Sequence, residues 1–193
     1  MLYVALFGRV LIATVFAVSA FTKVRSAAAF GAFRRSTRRM AILPERLVRP
    51  VAVLVVGCEV AIVLLLAAPT RITGALGLGL AAALLTGLAG AIGLVVWRGV
   101  STTCQCFGHS AVPLGKFHIW RNLTLIAIAA VAAVAGLVTD TSPDLGGALL
   151  AGLAGVLGGA LVTVLDDVRQ LLLPPKTSAA RQRSPQPTWR RST

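Results

Sequence analysis

Five apolar stretches, each about as long as a bilayer-crossing helix, constrain this chain more than any other feature: residues 2–21, 51–68, 72–97, 117–138 and 145–165. A backbone in hydrocarbon must satisfy its own N–H and C=O groups, and a run of this length does so as a helix. With 56% hydrophobic and only 13% charged residues, the chain has too little polar surface for a soluble globule. The expectation is an all-α integral membrane protein, multi-pass in the cell membrane with the lipid bilayer as its first partner. One bundle of about five transmembrane helices is expected over residues 1–173. The remainder, 174–193, is rich in Pro, Ser and Arg and reads as a disordered basic tail.

The first run is broken only by Arg9. Val18, Ser19 and Ala20 resemble the small residues before a signal cleavage site, but no basic residue precedes the apolar core, so a retained helix is expected. Residues 23–50 then carry eight Lys and Arg against one acid, Glu45. Phe30 and Phe33 lie three apart and the arginine pairs recur four apart, the pattern of an amphipathic helix on anionic headgroups; a solvated basic loop is the plainer alternative. Cys58 and Glu59 fall near the middle of the second run. An acid at that depth costs about 2.5–3.5 kcal/mol on insertion, so Glu59 is expected to face the bundle interior. Pro69 and Arg71 separate the second and third runs so briefly that the two form a tight hairpin. Small residues recur every fourth position at Gly79, Ala83, Gly87 and Ala91, and again at Ala151, Gly155 and Gly159; both stripes read as helix-packing surfaces.

A formal charge of +13 would suggest nucleic acid in a soluble protein. Here the basic segments lack the stacking aromatics of single-strand binders and flank apolar runs, so they read as topology and headgroup signals, and no nucleic-acid partner is expected. With five spans, one face collects 17 of the 19 Lys and Arg, together with the loop 98–117 and the tail. The positive-inside rule makes that face cytoplasmic.

Three cysteines are too few for a disulfide framework. Two of them form the string Cys104, Gln105, Cys106, Phe107, Gly108, His109 in the turn-rich loop. Thiols one residue apart close only a small strained ring, the kind of disulfide that is labile and reactive, so Cys104 and Cys106 are a candidate redox pair and a redox-active disulfide the candidate cofactor. Nearby Arg98, Lys116 and Arg121 would favour the thiolate. Two other readings stand beside this one. Cys104 and Cys106 with His109 or His118 could bind copper(I) or zinc, although the spacing is not that of common zinc sites. The cysteines could equally be unreactive loop residues in a non-enzymatic membrane scaffold or assembly factor. Cys58, alone in an apolar helix, reads as packing before it reads as a resolving thiol.

The Cys104-Gln105-Cys106-Phe107-Gly108 string, followed by Trp120-Arg121-Asn122-Leu123 at the head of an apolar helix, resembles the methylamine utilisation protein MauE family and the wider MauE/DoxX group. Arg9, Phe16, Ser19, Lys23, Leu43-Pro44 and Cys58-Glu59 are similar to the amino-terminal half of that group, and the likeness spans about residues 5–138. It implies a DoxX-like four-helix core and a part in the thiol redox maturation of exported proteins alongside a thioredoxin-like partner. It further implies that Cys104 and Cys106 are the redox pair, that Arg121 and Asn122 anchor the loop, and that Lys23 and Glu59 form a polar pair inside the bundle.

Overall fold

The computed structural model describes residues 1–40, 42–98, 116–139 and 144–172, with side chains at all of these except 116 and 166–172. Among the described residues it is all helical: α1 (Leu2–Val24), α2 (Ala27–Arg39), α3 (Glu45–Ala67), α4 (Arg71–Trp97), α5 (Lys116–Val138) and α6 (Leu145–Leu172). Five of these, all but α2, are long and apolar enough to cross a membrane. The protein is thus an all-α, multi-pass membrane bundle.

Local chemistry sets the breaks. Ser26 caps α2, its hydroxyl accepting the Ala29 N–H at 3.1 Å, and Thr70 caps α4 by accepting the Thr73 N–H at 3.1 Å. Ala68 is extended and Pro69 follows, so α3 stops and α4 starts within four residues. α3 begins at Glu45, six residues before the apolar run, and carries Pro50 in its second turn. The basic segment is a helix over 27–39: Phe33 and Ser36 are buried while Arg34, Arg35, Arg38 and Arg39 point outward. An exposed Arg38–Glu45 pair at 3.2 Å links its end to the start of α3.

α1, α3, α4 and α5 close a four-helix ring, each packed on its neighbours, and the core lies inside it: Ile12, Val15 and Phe16 of α1 meet Ile62 and Leu66, Ala81 and Leu85, and Leu125 and Ala129. Among the described residues α6 packs on α1 alone. Lipid is as apolar as leucine, so close packing and polar contacts, not hydrophobicity, hold such helices together. The α1–α6 crossing shows this. A Cβ added at Gly155 would lie 2.8 Å from the Phe7 carbonyl oxygen, and one at Gly159 would lie 2.9 Å from that of Leu11, so the two backbones all but touch. The stripe on α4 behaves differently: Gly79, Ala83 and Gly87 are exposed, and a Cβ at Gly79 or Gly87 would meet nothing within 4 Å. That stripe faces away from the bundle, and no helix of the described chain uses it.

Candidate functional site

One end of the four-helix core is polar. In an α-helix, positions three and four apart share a face, and the buried stripe of α1 runs Gly8, Leu11, Ile12, Val15, Phe16, then Ser19 and Lys23. The stripe therefore changes from hydrocarbon to hydroxyl and ammonium in its last two turns. α3 answers with Glu59. The Lys23 ammonium donates to Glu59 Oε1 at 2.8 Å and Oε2 at 3.1 Å, to Ser19 Oγ at 2.6 Å and to the Ser19 carbonyl at 3.2 Å. Ser19 Oγ donates in turn to Glu59 Oε1 at 2.9 Å. Lys23 is 3% exposed and Glu59 1%. The three N–H bonds of the ammonium thus find three acceptor groups, and the two opposite charges cancel where neither could survive alone.

α2 completes the floor. The ring of buried Phe33 lies under the ammonium, 5.1 Å from its centroid, so the amphipathic helix is tied to the polar layer by a cation–π contact.

α5 brings more polar groups to the same level. It runs antiparallel to α1, with Gly8 against Ala132. Eleven residues on from Gly8 is Ser19, and eleven back from Ala132 is Arg121, each about 16 Å along its helix. Asn122, 1% exposed, heads the buried stripe of Leu125, Ala129 and Ala132, and its Oδ1 accepts no hydrogen bond among the described residues. His118, one turn earlier, is also buried. Arg121 is partly buried beside them.

The structure therefore brings Lys23 and Glu59 into direct contact and sets Arg121 and Asn122 on the turn of α5 level with them. Cys104 and Cys106 lie outside the described residues, in the segment joining the end of α4 to the start of α5. Cys58 is a free, partly buried thiol next to Glu59 in sequence but turned from the pair by the helical step. Among the described residues no cluster of His, Cys, Asp and Glu could hold a metal ion.

A family model described as methylamine utilisation protein MauE matches residues 1–137. The chain belongs to the MauE family. No curated protein and no solved structure matches it. The MauE match covers α1 to α5, hence the whole four-helix ring and its polar layer, and ends before α6.

Two polar residues of this MauE chain have roles that the residue pattern alone does not announce. Ser19 bridges the charged pair; beyond the family resemblance, its signal is that it stands one turn before Lys23 on a stripe otherwise apolar. Arg9 sits at the opposite end of the bundle. Its Nε donates to the Leu66 carbonyl at 2.8 Å and its Nη2 to that of Ala68, capping α3 from α1.

Proposed function

We propose that this MauE-family membrane protein is a thiol–disulfide exchange protein in which Cys104 and Cys106 cycle between dithiol and disulfide and support the redox maturation of partner proteins. In the oxidising direction of the cycle, a thiolate of the pair attacks a disulfide of a thioredoxin-like partner. The partner's leaving sulfur departs as a thiolate, and the second cysteine then resolves the mixed disulfide. Two electrons and two protons pass from the pair to the partner, which leaves as a dithiol. The reverse exchange regenerates the pair.

The observation that supports this reading is the buried Ser19–Lys23–Glu59 layer at the end of the core from which α4 and α5 lead into the cysteine-bearing segment. Polar groups inside a membrane bundle are costly and mark function by default. A neutralised, fully hydrogen-bonded layer gives the flanking helices a fixed base on which a reactive loop can be presented. Arg121 and Asn122, on the first turns of α5, are the residues that would anchor it.

The test is differential labelling in intact cells with a membrane-impermeant maleimide, before and after mild reduction, compared with opened membranes. Reversible protection of Cys104 and Cys106 is expected, together with loss of partner maturation in the Cys104→Ser and Cys106→Ser variants. Full maturation with both cysteines replaced would instead make the protein a non-enzymatic scaffold. The outward-facing Gly79, Ala83 and Gly87 stripe favours that second reading, since it is open to a partner helix.

A further inference from the structure

The end of the bundle away from the polar layer holds a different arrangement, centred on Arg9. A guanidinium has five N–H donors. Arg9 uses three of them, on the carbonyls of Leu66, Ala68 and Thr70, the last at 3.5 Å. These acceptors are neutral, and among the described residues no carboxylate lies within ion-pairing distance of Arg9. The partial negative charge at the end of α3 offsets about half of one positive charge, so capping leaves both charge and donors over.

The surroundings of Arg9 are hollow in two directions. Below it, between α1 and α3, runs a groove of about 540 Å³ walled by Val10, Ala13, Thr14, Ala17, Val63 and Leu66. From Arg9 to Ala17 the groove follows α1 for about 12 Å, close to the roughly 15 Å of one leaflet's hydrocarbon. Beside Arg9 opens a recess of about 310 Å³ bounded by the first turn of α4, with Arg71 and Gly74, and by Thr139 at the end of α5. Among the described residues, no acidic side chain lines either space. The first turn of α4 adds the positive end of a helix to the same recess. Gly74 keeps it open to the guanidinium, because a Cβ there would sit 2.9 Å from Arg9 Nη1.

We propose that this is a binding site for one anionic phospholipid: its phosphate accepts the remaining Arg9 donors in the recess beside α4, and one acyl chain lies along the α1–α3 groove. The chemistry at the head is that of any phosphate monoanion. The apolar groove running inward from the same arginine commits the site to a phosphate that carries a chain. The site lies at the opposite end of the core from the proposed thiol chemistry and does not depend on it.

The experiment is native mass spectrometry of the full chain released from micelles containing phosphatidylglycerol and phosphatidylcholine in equal amount, with inorganic phosphate as a separate probe of thermal stability. One retained phosphatidylglycerol per chain is expected, preferred about tenfold over phosphatidylcholine, whose phosphate is the same but whose choline cation would meet Arg9 and the positive end of α4 with no carboxylate among the described lining residues to receive it. Arg9→Gln should abolish the preference. Should that variant lose its fold with its cap, Ala13→Leu decides: it fills the groove without touching the cap and should lower lipid retention by a similar factor. Equal retention of the two lipids, undiminished retention in Ala13→Leu, or a rise in melting temperature with inorganic phosphate equal to that with phosphatidylglycerol would each overturn the proposal; the last would assign the arginine to a free anion.

Discussion

Lys23 and Glu59 meet at 2.8 Å with almost no exposed surface, joining the last turn of α1 to the middle of α3. Neither residue is supported by solvent, so each depends on the other for its charge, and Ser19 holds both in one geometry.

Removing one partner of the pair should hurt far more than removing both. Glu59→Gln or Lys23→Met strands an unbalanced group and is expected to cost about 3–5 kcal/mol, whereas the Lys23→Met/Glu59→Leu double variant should recover at least half of that loss. Thermal melting in detergent, read as a double-mutant cycle, measures it; additive losses would mean that the two residues act separately.

The two small-residue stripes should respond in opposite ways. Gly159→Val forces a side chain into the α1 backbone and is expected to destabilise by about 1–3 kcal/mol. Gly87→Ala meets open space and should leave stability unchanged or raise it by up to about 1 kcal/mol through helix propensity alone. The same melting assay, run on dilute protein so that association between chains does not contribute, separates the two.

Asp144 makes the contact between α1 and α6 acid-sensitive. Its carboxylate accepts the Tyr3 hydroxyl and the Gly147 N–H, the latter at 2.8 Å, and these bonds hold its pKa below the ordinary 3.8. Because the folded value is the lower one, the contribution is complete above the unfolded value and disappears as pH falls through the folded value. Tyr3→Phe should therefore be less stable than the native chain at pH 7, and the gap should shrink as pH drops below about 4. Parallel melts of the two proteins between pH 7 and 3 check this; a gap independent of pH would remove Asp144 from the account.

Cys58 should be a bystander. It is partly buried and turned from the polar layer, so Cys58→Ser is expected to leave the labelling of Cys104 and Cys106 unaltered before and after reduction. Loss of their reversible protection in that variant would make Cys58 a resolving thiol.

Sequence patterns announce the helices of this protein better than their neighbours. Runs long and apolar enough to span stand out wherever a bilayer is the solvent, and Pro69 with Arg71 marks the hairpin at once. The direction in which a span faces is another matter, because lipid and protein interior are equally apolar. The stripe at Gly79, Ala83 and Gly87 shows that a helix can be approached, not that anything approaches it. Its counterpart at Gly155 and Gly159 is covered by α1. Polar residues escape this ambiguity. Glu59 has to find a partner inside the bundle, and Lys23 meets it, whereas Ser19 and Arg9 form bonds to backbone or to other polar groups that spacing does not encode. Pro50 and the charges around it conceal the first two turns of α3, which lie ahead of its apolar run.

The position of α6 bears on how this chain is wired as a cell component. A ring of four spans returns the polypeptide to the side of the bilayer on which it started. Among the described residues α6 rests on α1 alone; it lies beyond the family match and is long and apolar enough to cross once more. The parity of the crossings is thereby changed: the chain leaves α5 at the Arg9 end and leaves α6 at the end shared by Lys23 and the flanks of the cysteine segment. An accessory helix of this kind can be gained or lost without reopening the ring, and what it alters is the compartment into which any sequence fused behind it is delivered.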